Sequence, residues 1–229
     1  MIPTPVPEEG YVFSKWAPVN PEGHMMIADV AFVALFAKDG GSCDGGDNCP
    51  TGQFTDVNQN RWYHQALDYM VSNRLMMGTS DTTFSPDGVA TRAMITTILY
   101  RLEGCPAVEN SGSFTDVAQG AWYSEAVNWA AEKGYVNGTG ENSFNPDGKI
   151  TRQEVVTILF RYSGSQSGAE TMFTATYDSQ FADSGAIAPW AKTAMYWAIY
   201  NGVVNGTSQT TVSLSLIHIS EPTRQAEIS

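Results

Sequence analysis

The chain has 229 residues, 42% of them hydrophobic, enough to bury one large core or two small ones. Its 24 acidic residues against 12 basic ones give a formal net charge of −12 at pH 7, which argues against nucleic acid or an anionic membrane surface as the partner. No run approaches the roughly eighteen apolar residues of a membrane span, and "MIPTPVPEEG" has neither the basic start nor the apolar core of a signal peptide, so neither is expected.

In chain order, residues 1–40 come first. "GYVFSKWAPV" and "DVAFVALFAKD" are rich in aromatic and β-branched residues around a turn-prone middle, which predicts two or more strands. Residues 41–53 form a Cys/Gly-rich linker. Cys43 and Cys49 within it suit a small disulfide clip or a plain structural loop, and their spacing without a nearby histidine is a poor zinc signal. The acidic residues between them lack the ligand alternation of a calcium loop. No metal ligand is expected, and Cys105 stands alone.

Residues 54–110 and 111–170 are two copies of one unit. Phe54 to Gly104 aligns without a gap on Phe114 to Gly164 at an offset of 60, and 21 of the 51 positions are identical. Such repetition defines a repeat architecture. Each copy reads as helix, loop, helix. In the first helix Trp62, Ala66, Tyr69 and Met70, or Trp122, Ala126, Trp129 and Ala130, recur at intervals of three and four and predict one core-facing stripe. The loop carries Gly78-Thr79 or Gly138-Thr139, then a tight turn at Ser85-Pro86-Asp87-Gly88 or Asn145-Pro146-Asp147-Gly148. Phe84 and Phe144 are expected to pin that loop to the core. The second helix starts at Thr91 or Thr151. Thr151 and Glu154 predict a capping box, whereas Met94 stands at the glutamate position of the first copy. Ile95, Ile98, Leu99 and Leu102, matched by Val155, Ile158, Leu159 and Tyr162, mark the expected buried face.

Residues 171–213 hold a partial third copy, with Phe181, Asp183, Trp190, Ala194, Gly206 and Thr207 on the same landmarks. The copy breaks after Ser213, where Leu214 replaces the proline of the turn. Residues 214–229 lack the turn, the cap and the arginine, and "LIHISEPTRQAEIS" resembles translated sequencing-adapter readthrough. Low order is expected in this tail. Trp190, Met195 and Trp197 are expected to be left partly uncovered.

Arg92 and Arg152 raise a question, because a cation in the first turn of a helix opposes the helix dipole. The Phe-Thr-Asp-Val opening, the Trp-Tyr pair eight residues later, the Gly-Thr pair and the Thr-Arg-Gln-Glu or Thr-Arg-Ala-Met helix start resemble the repeat of the S-layer homology (SLH) family, from Phe54 to about Ser213. The resemblance implies a mainly α fold: a pseudo-threefold bundle of helical repeats, here preceded by a short β-rich fragment. It also implies inter-repeat grooves that hold secondary cell-wall polymer, an acidic glycan, and so tether the protein noncovalently outside the cell, on a Gram-positive wall or S-layer. Residues 1–40 resemble the end of an internalin-type B repeat, which implies further modules upstream.

On that resemblance the ligand-binding residues are expected to be Arg92, Arg152, Thr91, Thr151, Trp62, Trp122, Asp56, Asp116, Gly78, Thr79, Gly138 and Thr139. A helix N-terminus with free N–H groups beside a forked guanidinium makes a receptor for a carboxylate. The competing reading of Arg92 and Arg152 is a structural bridge to Asp56 or Asp116 between repeats. Trp62 and Trp122 serve equally as stacking platforms or as core. Asp56 and Asp116 line the groove or, preferably, cap the first helix. No catalytic residue, cofactor or membrane insertion is expected: His24, His64 and His218 have no repeated partner, and no nucleophile or metalloprotease motif occurs. The alternatives for the whole protein are the anchor portion of a larger secreted polysaccharide hydrolase and a structural S-layer lattice protein.

Overall fold

The computed structural model describes residues 11–17, 33–38, 49–61, 63–109, 112, 114–164, 181–201, 203–204, 211–212 and 214–217. Cys43, Trp62, Gly206, Thr207 and the tail from residue 218 lie outside these. β1 (Tyr11–Ala17) pairs antiparallel with β2 (Val33–Lys38), from Tyr11 opposite Lys38 to Ala17 opposite Val33, with a register irregularity between Phe13 and Lys15. These are the two strands expected of the aromatic and β-branched N-terminal residues.

The other regular elements among the described residues are helices, giving the mainly α architecture expected. The first repeat contributes α1 (His64–Ser72) and α2 (Arg92–Leu102), and the second α3 (Ser124–Glu132) and α4 (Arg152–Tyr162). The third contributes α5 (Lys192–Tyr200), preceded by single 3-10 turns at Ser184–Ala186 and Pro189–Ala191. Neighbouring repeats pack through α2 on α3 and α4 on α5.

The buried faces follow the helical period, with two shifts. On α1 the buried side chains are His64, Leu67 and Asp68, with Tyr63 just before the helix, while Tyr69 of the expected stripe is 40% exposed. On α4, Val155 and Ile158 enter one core with Leu67, Phe84, Trp129 and Phe144, whereas Val156 and Phe160 enter a second core with Met195 and Tyr196 of the third repeat. A helix clamped between two cores needs more than one apolar stripe. Met195, expected to be partly uncovered, is fully buried in that second core.

The loops are braced from the repeat openings. Phe84 and Phe144 are fully buried, at 5.2 and 5.5 Å from the rings of Phe54 and Phe114. Gly78 has φ +80°, and a Cβ there would lie 2.6 Å from the Phe54 ring; one at Gly138 would lie 2.7 Å from Ser143 O and 3.0 Å from the Phe114 ring. Only glycine lets the loop backbone pass so close to the aromatic side chain. The expected turns close through Gly88 N–H to Ser85 O (2.8 Å) and Gly148 N–H to Asn145 O (3.0 Å). Asp56 and Asp116 do not cap the first helices, whose N-terminal positions are Tyr63 and Tyr123 with no side-chain cap. Each instead reaches 28 and 29 residues along the chain. Asp56 accepts from the amides of Phe84 (2.8 Å) and Ser85 (2.7 Å), and Asp116 from those of Phe144 (2.8 Å) and Asn145 (2.7 Å). Ser85 and Asn145 both hold positive φ, so the carboxylate fixes the turn at its strained residue. Asp183 does the same for Val212 N–H at 2.9 Å in the third repeat.

The three repeats meet at a closed triangle of backbone hydrogen bonds. Ala90 N–H donates to Ile217 O (2.8 Å), Ile217 N–H to Ile150 O (3.0 Å) and Ile150 N–H to Ala90 O (3.1 Å), and all three side chains are buried. Ser215, Leu216 and Ile217, placed by the sequence in an aberrant tail, therefore occupy the third corner. Ser215 O also accepts from Arg152 N–H at 3.0 Å, as Gly148 O does from Arg92 N–H at 3.0 Å. What this stretch supplies is backbone groups and one apolar side chain, which an atypical sequence can provide as well as a typical one.

Ile150→Ala is expected to cost about 2–5 kcal/mol of unfolding free energy, and Ile217→Ala a comparable amount, read from urea denaturation by circular dichroism. A loss at Ile217 well under about 1 kcal/mol would mean that the third corner carries no weight. A second prediction concerns Asp116. Burial pushes its carboxyl upward, but the Phe144 amide, the Ser143 hydroxyl and the Asn145 amide together hold it below its ordinary value. A depressed native pKa stabilises fully above the unfolded-state value and is lost as pH falls through the native one. Asp116→Asn should thus lower Tm most near neutral pH, and the gap from wild type should close below about pH 4. A gap that stays constant on acidification would assign the loss to something other than the charge.

Candidate functional site

The Gly-Thr loops, the second helices and the tryptophan of the next repeat enclose two grooves. The first, of about 370 Å³, is lined by Met76, Met77, Gly78 and Thr79 from the first loop, by Met94, Thr97, Ile98 and Arg101 from α2, and by Trp122. The second, of about 470 Å³, is its counterpart one repeat on, lined by Asn137, Gly138 and Thr139, by Glu154, Thr157, Ile158 and Arg161 of α4, by Trp190, and by Arg92 from the preceding repeat. Trp122 and Trp190 stand at 59% and 58% exposed, so neither is core.

Arg92 begins α2 yet turns its side chain into the second repeat. It is only 7% exposed. Its Nε donates to Phe144 O (3.0 Å), Nη2 to Asn137 O (3.0 Å), Nη1 lies 3.7 Å from Glu154 Oε1, and the guanidinium sits 4.8 Å over the Phe144 ring. Burial lowers its pKa, Glu154 raises it, Arg161 lowers it further and Asp116 raises it, with a net downward direction. Arg152 repeats the pattern, donating from Nη1 to Val212 O at 3.3 Å. Both arginines bridge repeats, through backbone carbonyls rather than through Asp56 or Asp116. The geometry also corrects the expectation of free N–H groups at the start of α2. Arg92 N–H goes to Gly148 O, Ala93 N–H to Pro146 O, and Met94 N–H to Thr91 Oγ1, at 3.0, 3.0 and 3.3 Å. A helix start whose donors are taken by protein is not an open anion site. Thr151 N–H and hydroxyl both donate to Glu154 Oε2, at 2.8 and 2.7 Å, within the expected capping box.

Arg161 is the cation that the sequence did not single out. Half-buried in the last turn of α4, it has no acidic ion-pair partner among the described residues. With the Asn137 amide turned to satisfy both ends, Asn137 donates to Val136 O and accepts from Arg161 Nη2, each at 3.2 Å. Burial pulls the Arg161 pKa down. The second groove thus holds Arg92 and Arg161 against Glu154. Arg161 was legible only as one of the identical positions, equivalent to Arg101, and Trp190 only as the third-copy counterpart of Trp122.

A separate polar cluster joins the linker to α1. Thr51 donates to Asp68 Oδ1 from its hydroxyl (2.7 Å) and its amide (3.1 Å), and His64 Nε2 lies 3.4 Å from Asp68 Oδ2 and 3.1 Å from Cys49 Sγ. Cys49, His64 and Asp68 are close enough to suggest a metal site, but Cys49 is disulfide-bonded and offers no thiolate. Cys105 is free and exposed.

The family model described as "S-layer homology domain" matches residues 53–93, 113–156 and 180–213, more than half of the chain. The chain is 31% identical over 160 residues to an amylopullulanase of Thermoanaerobacterium thermosulfurigenes, covering 67% of this chain and 8% of that protein. It is 31% identical over 166 residues to a cellulosome-anchoring protein of Acetivibrio thermocellus, 68% of this chain and 36% of that one. It is 29% identical over 156 residues to the surface-layer 125 kDa protein of Lysinibacillus sphaericus, 68% of this chain and 13% of that protein. The chain spans a small part of each relative's length, and the shared part is the repeat region, a non-catalytic module. Three matched repeats, closed on one another at Ala90, Ile150 and Ile217, make this chain a member of the S-layer homology family, whose domains anchor proteins at the cell surface.

Proposed function

We propose that the chain anchors its parent protein by gripping an acidic secondary cell-wall polysaccharide, and that the groove between the second and third repeats takes the polymer's carboxylates. The observation that carries this reading is the local charge balance. In a chain of net charge −12, Arg92 and Arg161 share one groove with the single carboxylate of Glu154, and Arg161 has no acidic partner among the described residues. A partly desolvated guanidinium without a counter-charge favours an incoming anion, and its fork suits a carboxylate such as that of a pyruvate ketal. Trp190, largely exposed, offers a flat apolar face to a sugar ring, and Gly138 and Thr139 line the same groove. Arg161 therefore contacts the ligand, while Arg92 and Arg152 hold the groove walls in place. Thr91 and Thr151 act as caps, and Asp56 and Asp116 act as braces of the groove loops.

The longer relatives support two readings of the cargo. An amylopullulanase that shares only the repeat region favours a secreted polysaccharide hydrolase as the protein to which such an anchor belongs, and the surface-layer relative favours a lattice subunit as the second reading.

Purified chain is to be sedimented with Gram-positive sacculi before and after chemical removal of their secondary polymer. Wild type should bind only in the presence of polymer, more weakly as salt rises toward about 0.5 M. Arg161→Ala should weaken binding about tenfold or more with Tm nearly unchanged, because losing one charge-assisted contact is worth about 1.5–3 kcal/mol. Arg92→Ala should instead lower stability by about 2–3 kcal/mol, since it strands the buried carbonyl of Phe144 and the part-buried one of Asn137. Full polymer binding by Arg161→Ala would overturn the assignment of the anion site.

A further inference from the structure

The cluster that joins the linker to α1 is built from residue types that the repeat itself does not require. His64 and Asp68 lie one helical turn apart on α1, so their side chains share a face, and both are buried together with Cys49 and Thr51. The second repeat has Ser124 and Asn128 at the equivalent positions, 60 residues on, and these are buried too. Neutral side chains therefore satisfy the fold at that place, and the imidazole and carboxylate of the first repeat need another explanation. Asp68 is 3% exposed, and no lysine or arginine pairs with it among the described residues. Burying a carboxylate is costly unless it is paired or holds a metal. The donors around it are spaced for one ion. Cys49 Sγ, His64 Nε2 and Asp68 Oδ2 form a triangle with sides of 3.1 Å (Sγ to Nε2), 3.4 Å (Nε2 to Oδ2) and 3.7 Å (Sγ to Oδ2). A tetrahedral zinc ion with its usual bonds to S, N and O holds such donors about 3.3–3.6 Å apart. Asp68 Oδ1 meanwhile accepts from the Thr51 hydroxyl and amide, at 2.7 and 3.1 Å, the kind of outer bond that fixes a ligand's orientation and aims its second oxygen.

We infer that, once its disulfide is opened, this cluster is a zinc-class metal site with Cys49, His64 and Asp68 as ligands and water in the fourth position. In the oxidised chain Cys49 is disulfide-bonded and carries no thiolate. Cys105 is free, which leaves Cys43 as the cysteine of the sequence that can complete the bond. A dithiol delivers two electrons and two protons to that disulfide, which breaks into two cysteine thiols while the dithiol closes to its own disulfide. The divalent cation then replaces the proton on Cys49 Sγ, and the proton leaves to solvent. One thiolate, one imidazole and one carboxylate suit zinc, whereas calcium and magnesium take oxygen ligands. The covalent clip on the linker is thereby exchanged for a coordinate one, which holds the linker on α1 in reducing surroundings.

Co²⁺, a spectroscopic stand-in for zinc, is to be titrated into the intact chain, with Cys105→Ser in every sample so that no exposed thiol competes. Three forms are compared: the oxidised chain, the chain reduced with a phosphine that is then removed, and Cys43→Ser without reductant. The reduced chain and Cys43→Ser are each expected to bind one Co²⁺ with sulfur-to-cobalt charge-transfer absorption that Zn²⁺ displaces, and the oxidised chain none. Zn²⁺ should raise the Tm of the first two and leave that of the oxidised chain unchanged. Cys49→Ser should abolish the sulfur band, and Asp68→Asn and His64→Ala should each weaken binding at least about tenfold. Circular dichroism checks that each variant keeps its helix content. The inference is overturned if the reduced chain and Cys43→Ser stay folded yet bind no Co²⁺, or if the bound ion shows no sulfur band. It is equally overturned if the oxidised chain binds as tightly, if Asp68→Asn and His64→Ala bind as well as the unaltered cluster, or if both thiol forms lose helix content that Zn²⁺ does not restore.

Discussion

Three hydrogen bonds at the centre of the molecule, Ala90 to Ile217, Ile217 to Ile150 and Ile150 to Ala90, hold together segments that lie 60 and 67 residues apart in sequence. Everything functional depends on that junction. Each corner immediately precedes a helix start or the chain's tail, so the direction in which α2 and α4 leave the centre is set there, and with it the position of every groove-lining side chain. Closing loops of this length costs chain entropy that rises only slowly with loop size. What stabilises the closure is the burial of Ala90, Ile150 and Ile217 around amide and carbonyl groups that have no other partner.

The junction also explains the arginine at the start of each second helix. Its backbone N–H is taken by the turn of the next repeat, and its side chain continues into that repeat's loop. An unfavourable place in the helix dipole is offset by hydrogen bonds to carbonyls and, for Arg92, by Glu154. The charge that would otherwise be lost to structure is left to Arg161, which sits at the favourable end of its helix and faces the groove. On the proposed reading, the same residue type is divided between building the walls and meeting the ligand.

Much of this was legible in the residues. The repeat register, the proline-glycine turns, the capping box of Thr151 and Glu154 and the buried Phe84 and Phe144 all follow from local rules, and local rules are what a single sequence displays. What stayed hidden was everything made by two repeats at once. The spacing of Asp56 from Phe84 gives no hint of a hydrogen bond across 28 residues, so capping of the nearer helix looked the better role. Val156 and Phe160 fall off the expected stripe of α4 because a second core lies on its other side. Arg161 resembles any surface arginine near a helix C-terminus until Asn137 and Trp190 are seen beside it. Ser215 to Ile217 looked like refuse because their side chains are atypical, but the third corner uses mainly backbone.

An anchor works under load, and the linker cluster sets where that load enters. Tension arriving from the residues before Cys49 meets the two hydrogen bonds from Thr51 to Asp68 before it reaches Phe54 and the first groove. Thr51, His64 and Asp68 are all buried, so water cannot readily replace these bonds as they stretch. A pull on the tether is thereby taken up by the body of α1, and the loops that line the grooves are shielded from the strain that would pry them open.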